Sequence, residues 1–174
     1  RYLLAGTCEW NEPVWPFATS QTLTALDNVL CGRSQSQVGV RDYFEGVRTY
    51  ARSTYRDGKP YIGEYLDEAT GTYLHKDLER GRYYNHSTFC DLVINGLVGL
   101  RPQPGQGLVV QPLVPADAWD WFALDGVAYH GRMLTILWDR TGERYGKGKG
   151  LVVMVGGKPV ARASKLRRMS VLIA

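Results

Sequence analysis

The apolar residues of this chain change their repeat once, at the Pro/Gly-rich stretch Arg101-Pro-Gln-Pro-Gly-Gln-Gly107. Before it they return every three or four residues, the spacing of helices with a covered face. After it they come in short β-branched runs bounded by Gly, Pro or Asp. Helices followed by strands restrict the chain to an α+β fold or to two adjoining units. With the stretch read as a linker, the expected units are 1–101 and 102–174.

Three helices are expected in the first unit. Ala18, Leu23, Leu26, Val29 and Leu30 mark one from Val14 to Leu30, with Pro16 in its tolerant first turn and Gly32 at the C-cap. Val40, Phe44, Val47, Ala51 and Thr54 mark a second, ended by Asp57-Gly58. The third, Phe89–Leu100, is apolar nearly all round and must be buried by neighbours. Its Gly96 and Gly99 each cost a helix about 1 kcal/mol unless close packing offsets them. The second unit offers strands at Leu108–Val110, Val127–His130, Met133–Trp138, Leu151–Val155, Pro159–Ala163 and Met169–Ile173, with Gly156-Gly157 as a two-residue hairpin turn.

Composition excludes several classes. With 44% hydrophobic and 22% charged residues the chain resembles a globular protein rather than a disordered one. No apolar run approaches the roughly 18 to 20 residues of a membrane span. Arg1-Tyr-Leu-Leu does not lead into a signal-peptide pattern, and the missing initial Met reads as a chain cut from a longer one. Cys8, Cys31 and Cys90 are too scattered for a disulfide scaffold or a zinc site, and His75, His86 and His130 show no ligand repeat. No metal or other cofactor is expected.

Charge is uneven. Residues 140–168 hold nine Lys/Arg against one acid, Glu143, while the whole chain is only +4. Such a cluster suits nucleic acid or an anionic surface. Its basic residues alternate with Gly rather than with stacking aromatics, so solvated strand edges and turns are the preferred reading. Neither a nucleic-acid nor a membrane partner is expected.

Polar chemistry gathers in three places. Cys8-Glu-Trp-Asn-Glu-Pro-Val-Trp-Pro-Phe17 sets Trp10 and Trp15 around Asn11 just ahead of a helix. Flat rings beside amide and carboxylate groups suit sugars, although the same residues also suit a hydrophobic staple at a helix start. Pro60-Tyr-Ile-Gly-Glu-Tyr65 places Glu64 among aromatics, an environment able to tune a carboxylate as a general base. Asp67–Gly71 reads as an exposed turn. Tyr83-Tyr-Asn-His-Ser87 precedes the third helix, with Ser87 as a candidate N-cap. Neighbouring His86 and Ser87 cannot face one another and form no triad.

Taken in order, these clusters resemble the C-terminal portion of inverting (α/α)6-barrel glycoside hydrolases: glycoside hydrolase family 63, the mannosylglycerate-hydrolase-like group and, more distantly, trehalases. The carriers are Trp10-Asn-Glu-Pro-Val-Trp-Pro16, Glu64-Tyr65 with Thr70-Gly71, and Tyr84-Asn-His-Ser-Thr-Phe89 through Gly99-Leu-Arg-Pro102. Glu12 stands where the family has Gly. The resemblance implies the last part of the barrel, about three helices with their loops, followed by a small antiparallel β domain. It implies hydrolysis of α-glycosidic bonds with inversion, Glu64 as the base, and a general acid upstream of this sequence. Trp10, Asn11 and Trp15 are then expected at the sugar, with Tyr65 and His86 behind them; the partner is an oligosaccharide or small glycoside. Two other classes stand beside this one: a non-catalytic carbohydrate-binding module using Trp10, Trp15, Trp119 and Trp121, and a basic nucleic-acid- or anion-binding domain. Trp119, Trp121 and Trp138 are expected to pack the sheet.

Overall fold

The computed structural model describes residues 13–74, 84 and 88–173. Helix α1 spans Pro16–Gly32 and α2 spans Val40–Ser53. Pro16 occupies the first position of α1, where a missing N–H costs nothing, and extended Trp15 is the N-cap. Gly32 does not form the expected cap. It is the last helical residue, and Arg33 leaves in extended geometry. At the start of α2 the Asp42 carboxylate accepts the Gly39 N–H at 2.7 Å, half of a capping box. The stripe Tyr43, Phe44, Val47 and Tyr50 is buried. Two short strands follow, β1 (Tyr55–Arg56) and β2 (Lys59–Pro60). Asp57 and Gly58, at φ 52° and 73°, make the left-handed turn between them, so they build a hairpin as well as stopping a helix.

The third helix is a correction. One α-turn, Thr88–Asp91, widens into a π-helix over Leu92–Leu97, and Leu100 already belongs to a strand. The cause lies on α2. Tyr43 is fully buried and its hydroxyl donates to the Leu92 carbonyl at 2.8 Å. A Cβ on Gly96 would stand 1.9 Å from that hydroxyl, so only glycine lets the phenol in. The Val98 N–H reaches back to Val93 O at 2.9 Å, a five-residue step. Gly99, at φ 81°, then turns the chain against the Gln111 backbone. The helix-weakening glycines are thus explained by close approach.

All remaining strands are antiparallel. Strands β3 (Leu100–Pro102), β4 (Gly107–Val110) and β9 (Met169–Leu172) form one sheet in the order β3-β4-β9. Strands β5 (Trp121–Tyr129), β6 (Arg132–Asp139), β7 (Gly150–Val155) and β8 (Lys158–Ala163) form a meander. Gly156 and Gly157 carry the left-handed turn expected between β7 and β8. The Pro/Gly stretch is not a linker. It is the turn of the β3–β4 hairpin, in which Arg101 pairs with Val109.

One core crosses this turn. Leu23, Tyr43, Val47, Leu92 and Leu97 from the helices share a cluster with Leu108, Val110, Leu134, Ile136, Leu151 and Val153 from both sheets. Behind the apolar contacts, Arg101 of β3 ion-pairs with the buried Asp27 of α1. Burial pushes the Asp27 carboxyl up while Arg101 pulls it down, and burial wins. The neighbouring Cys31 thiol donates to Asp27 at 3.6 Å and is pushed up to about 11 by burial, so it is no nucleophile at neutral pH. Trp138 is buried and Trp119 packs edge-on against Phe44 and Phe122, as expected of sheet packers. Trp121 is not: it lies on the far face of the meander and is 48% exposed. Among the described residues no helix is long and apolar enough to cross a membrane.

Candidate active site

The segments singled out in the sequence meet through their backbones. Val14 and Leu66 exchange both N–H···O bonds at 2.9 Å, clamping the stretch ahead of α1 to the Glu64 loop. The Tyr84 N–H donates to Ile62 O at 3.0 Å, bringing the third segment to the same loop. The loop is closed on itself by Leu74 N–H to Tyr65 O at 3.2 Å and Asp67 N–H to Thr72 O at 2.8 Å. Asp67 is held in its turn by accepting the Ala69 and Thr70 N–H groups, and Glu68 beside it is exposed.

Glu64 is 6% exposed, a depth that a carboxylate reaches only where its surroundings accommodate it. Tyr65, beside it, is 5% exposed and lies 4.9 Å from the Trp15 ring, centroid to centroid, tilted by 39°. Trp15 is itself buried, so in this structure it supports Tyr65 more than it offers a free ring face. Trp10, Asn11 and His86, with Glu12 and Ser87, lie outside the described residues.

Two residues that support the loop were not anticipated. Tyr73 is buried and packs on Tyr61 at 5.0 Å, and burial pushes its phenol up, keeping it neutral. Gly63 is the reason it fits: a Cβ there would stand 2.0 Å from the Tyr73 ring. The signal was present, a Gly between ring-bearing residues immediately before the acid, but nothing local names Tyr73 as the ring that fills the gap. Gly63→Ala is expected to push Tyr73 out of place and cost about 1–3 kcal/mol, as overpacking does. Thermal melts of the two proteins check this, and an unchanged Tm would show that the loop relaxes freely.

A cleft of about 520 Å³ opens beside the loop between α1 and α2, with Val14, Pro16, Tyr50 and Leu66 among its walls and Glu45, Asp67 and Glu68 on its lining. Glu64, Trp15 and Tyr65 do not line it. Among the described residues no group of three His, Cys, Asp or Glu side chains is placed to hold a metal ion.

Residues 1–87 match the family model described as the mannosylglycerate hydrolase MGH1-like glycoside hydrolase domain. Residues 100–162 match that of the glycosyl hydrolase family 65 C-terminal domain. Among solved structures, a chain named as a sialidase superposes with a TM-score of 0.92 at 52% identity, over 95% of this chain. The chain spans 15% of the length of that relative.

Proposed function

Since the chain belongs to the mannosylglycerate hydrolase MGH1-like glycoside hydrolase family, we propose that it carries the water-activating half of an enzyme that cleaves α-glycosidic bonds with inversion. Glu64 is the general base in this reading. What supports it is the convergence of the Val14-Trp15 stretch and Tyr84 on the loop that buries Glu64. A carboxylate in that position takes a proton from water as the water attacks the anomeric carbon. A second carboxylic acid protonates the leaving oxygen, and roughly 6.5 to 9.5 Å between the two leaves room for the water. That acid belongs to sequence upstream of this chain. Trp10 and Asn11 then meet the sugar, Tyr65 and Trp15 hold the base loop from behind, and His86 joins them from the third segment.

The substrate is an α-glucoside or a mannosylglycerate-type glycoside, following the family. A sialoside is the second reading, favoured by the sialidase name of the relative at 52% identity. Turnover of the full-length enzyme on these three classes separates them, and product anomers followed by NMR test the stereochemistry. A product that keeps the substrate's anomeric configuration would exclude direct attack of a base-activated water on the substrate's anomeric carbon.

A further inference from the structure

The far face of the β5–β8 meander carries a feature that the Glu64 reading does not use. On β6 and β7 this face presents Leu137, Val152 and Met154, which are buried even though they point away from the main core. Their cover is Tyr145, from the loop between β6 and β7, folded back over the sheet. The fold-back is fixed from below. The Asp139 carboxylate accepts the N–H groups of Thr141, Gly142 and Tyr145 at 3.2, 2.7 and 3.1 Å. Burial works to raise that carboxyl, and the loop donors outweigh it, holding it below its ordinary value. Gly142 and Gly150 complete the bend in left-handed geometry, each where a Cβ would strike backbone. Arg162 of β8 donates to the Lys147 carbonyl at 2.7 Å and ties the far end of the loop down.

This loop aims cations at an exposed ring. The Arg144 guanidinium lies 4.2 Å from the centroid of Trp121, and Tyr145 meets the same ring edge-on at 6.4 Å. Trp121 remains 48% exposed. Lys147, Lys149 and Arg162 are exposed in or beside the loop, and the only acid within 140–168 is Glu143. The nearby carboxylates are engaged: Asp120 with Arg140, Asp125 with Thr135 and Asp139 with the loop.

We propose that the Trp121–Arg144 face of the meander is a docking surface for an acidic polysaccharide, the indole meeting the apolar CH face of a sugar ring while Arg144, Lys147 and Arg162 meet its carboxylate or sulfate groups. Charge complementarity selects an anionic over a neutral glycan. A single exposed ring, with glycines rather than aromatics between the cations, suits one pyranose and not a succession of stacked bases. The surface lies on strands and a loop apart from Glu64, so its failure and that of the hydrolase reading are separable.

The test is binding of the full-length protein to polygalacturonate, dextran and oligothymidylate at low and moderate salt. Retention by polygalacturonate that weakens with salt, with none by dextran, is expected. Trp121→Ala and Arg144→Gln should each weaken it by about tenfold, the scale of one stacked ring or one charge-assisted contact, whereas Lys165→Gln should change it by less than about twofold. Trp121→Phe keeps a ring should the alanine variant melt early, and it should retain most of the binding. Tighter binding to oligothymidylate, no binding to polygalacturonate, or equal losses from Lys165→Gln and Arg144→Gln with none from either Trp121 variant would each overturn the proposal.

Discussion

Replacing Glu64 by Gln is expected to lower turnover of the full-length enzyme by roughly 10²- to 10⁴-fold, the contribution of a positioned general base, while substrate binding stays measurable. The exchange keeps the size and shape of the side chain. It removes the negative charge, and with it the capacity to take a proton, and replaces one acceptor oxygen by a donor. Because Glu64 is buried in a loop held by Val14, Tyr84 and its own backbone bonds, the amide has little room to turn elsewhere. Loss of turnover with an unchanged melting profile therefore reports chemistry rather than folding. Turnover near that of the wild type would remove Glu64 from the reaction and leave the loop a structural role only.

Asp27→Asn should be the most damaging single change to stability away from the site. It leaves the Arg101 guanidinium, 17% exposed, without its counter-charge between α1 and β3. Removing one partner of a buried pair costs about 3–5 kcal/mol, and because Arg101 keeps some contact with water the lower end applies. For a chain of this length about 3 kcal/mol corresponds to a fall in Tm of roughly 6–12 °C, read by calorimetry. The double variant Asp27→Asn with Arg101→Met should recover part of that loss, since no orphaned charge remains. No recovery would mean that the pair matters through shape rather than charge.

Local chemistry was legible and distant partners were not. The α2 stripe could be read because its apolar positions share one face whatever covers them. The turns at Asp57-Gly58 and Gly156-Gly157 could be read because left-handed geometry selects its own residues. The π-helix could not, since its register is set by Tyr43, 49 residues before the carbonyl it holds. The hairpin at Arg101–Gly107 reads as a linker in the sequence for a related reason: three residues of β3 count as a strand only because β4 lies beside them. The general habit of Trp places Trp121 in the interior, whereas its strand alternation, with Phe122 buried, turns it outward. At the candidate site the order of the motifs placed Glu64 near the stretch ahead of α1, and the Val14–Leu66 pair is the physical form of that nearness. The packing of Tyr73 over Gly63 has no local signature.

The hairpin that joins the helical and sheet-bearing halves also governs how this protein can be divided. Severing the chain at residue 101 would strip β4 of a neighbour and part Tyr43 and Leu92 from Leu108 and Val110. Neither product would inherit a closed interior. For anyone wishing to transplant the sheets as an accessory module, the usable seam therefore lies elsewhere than where the composition breaks.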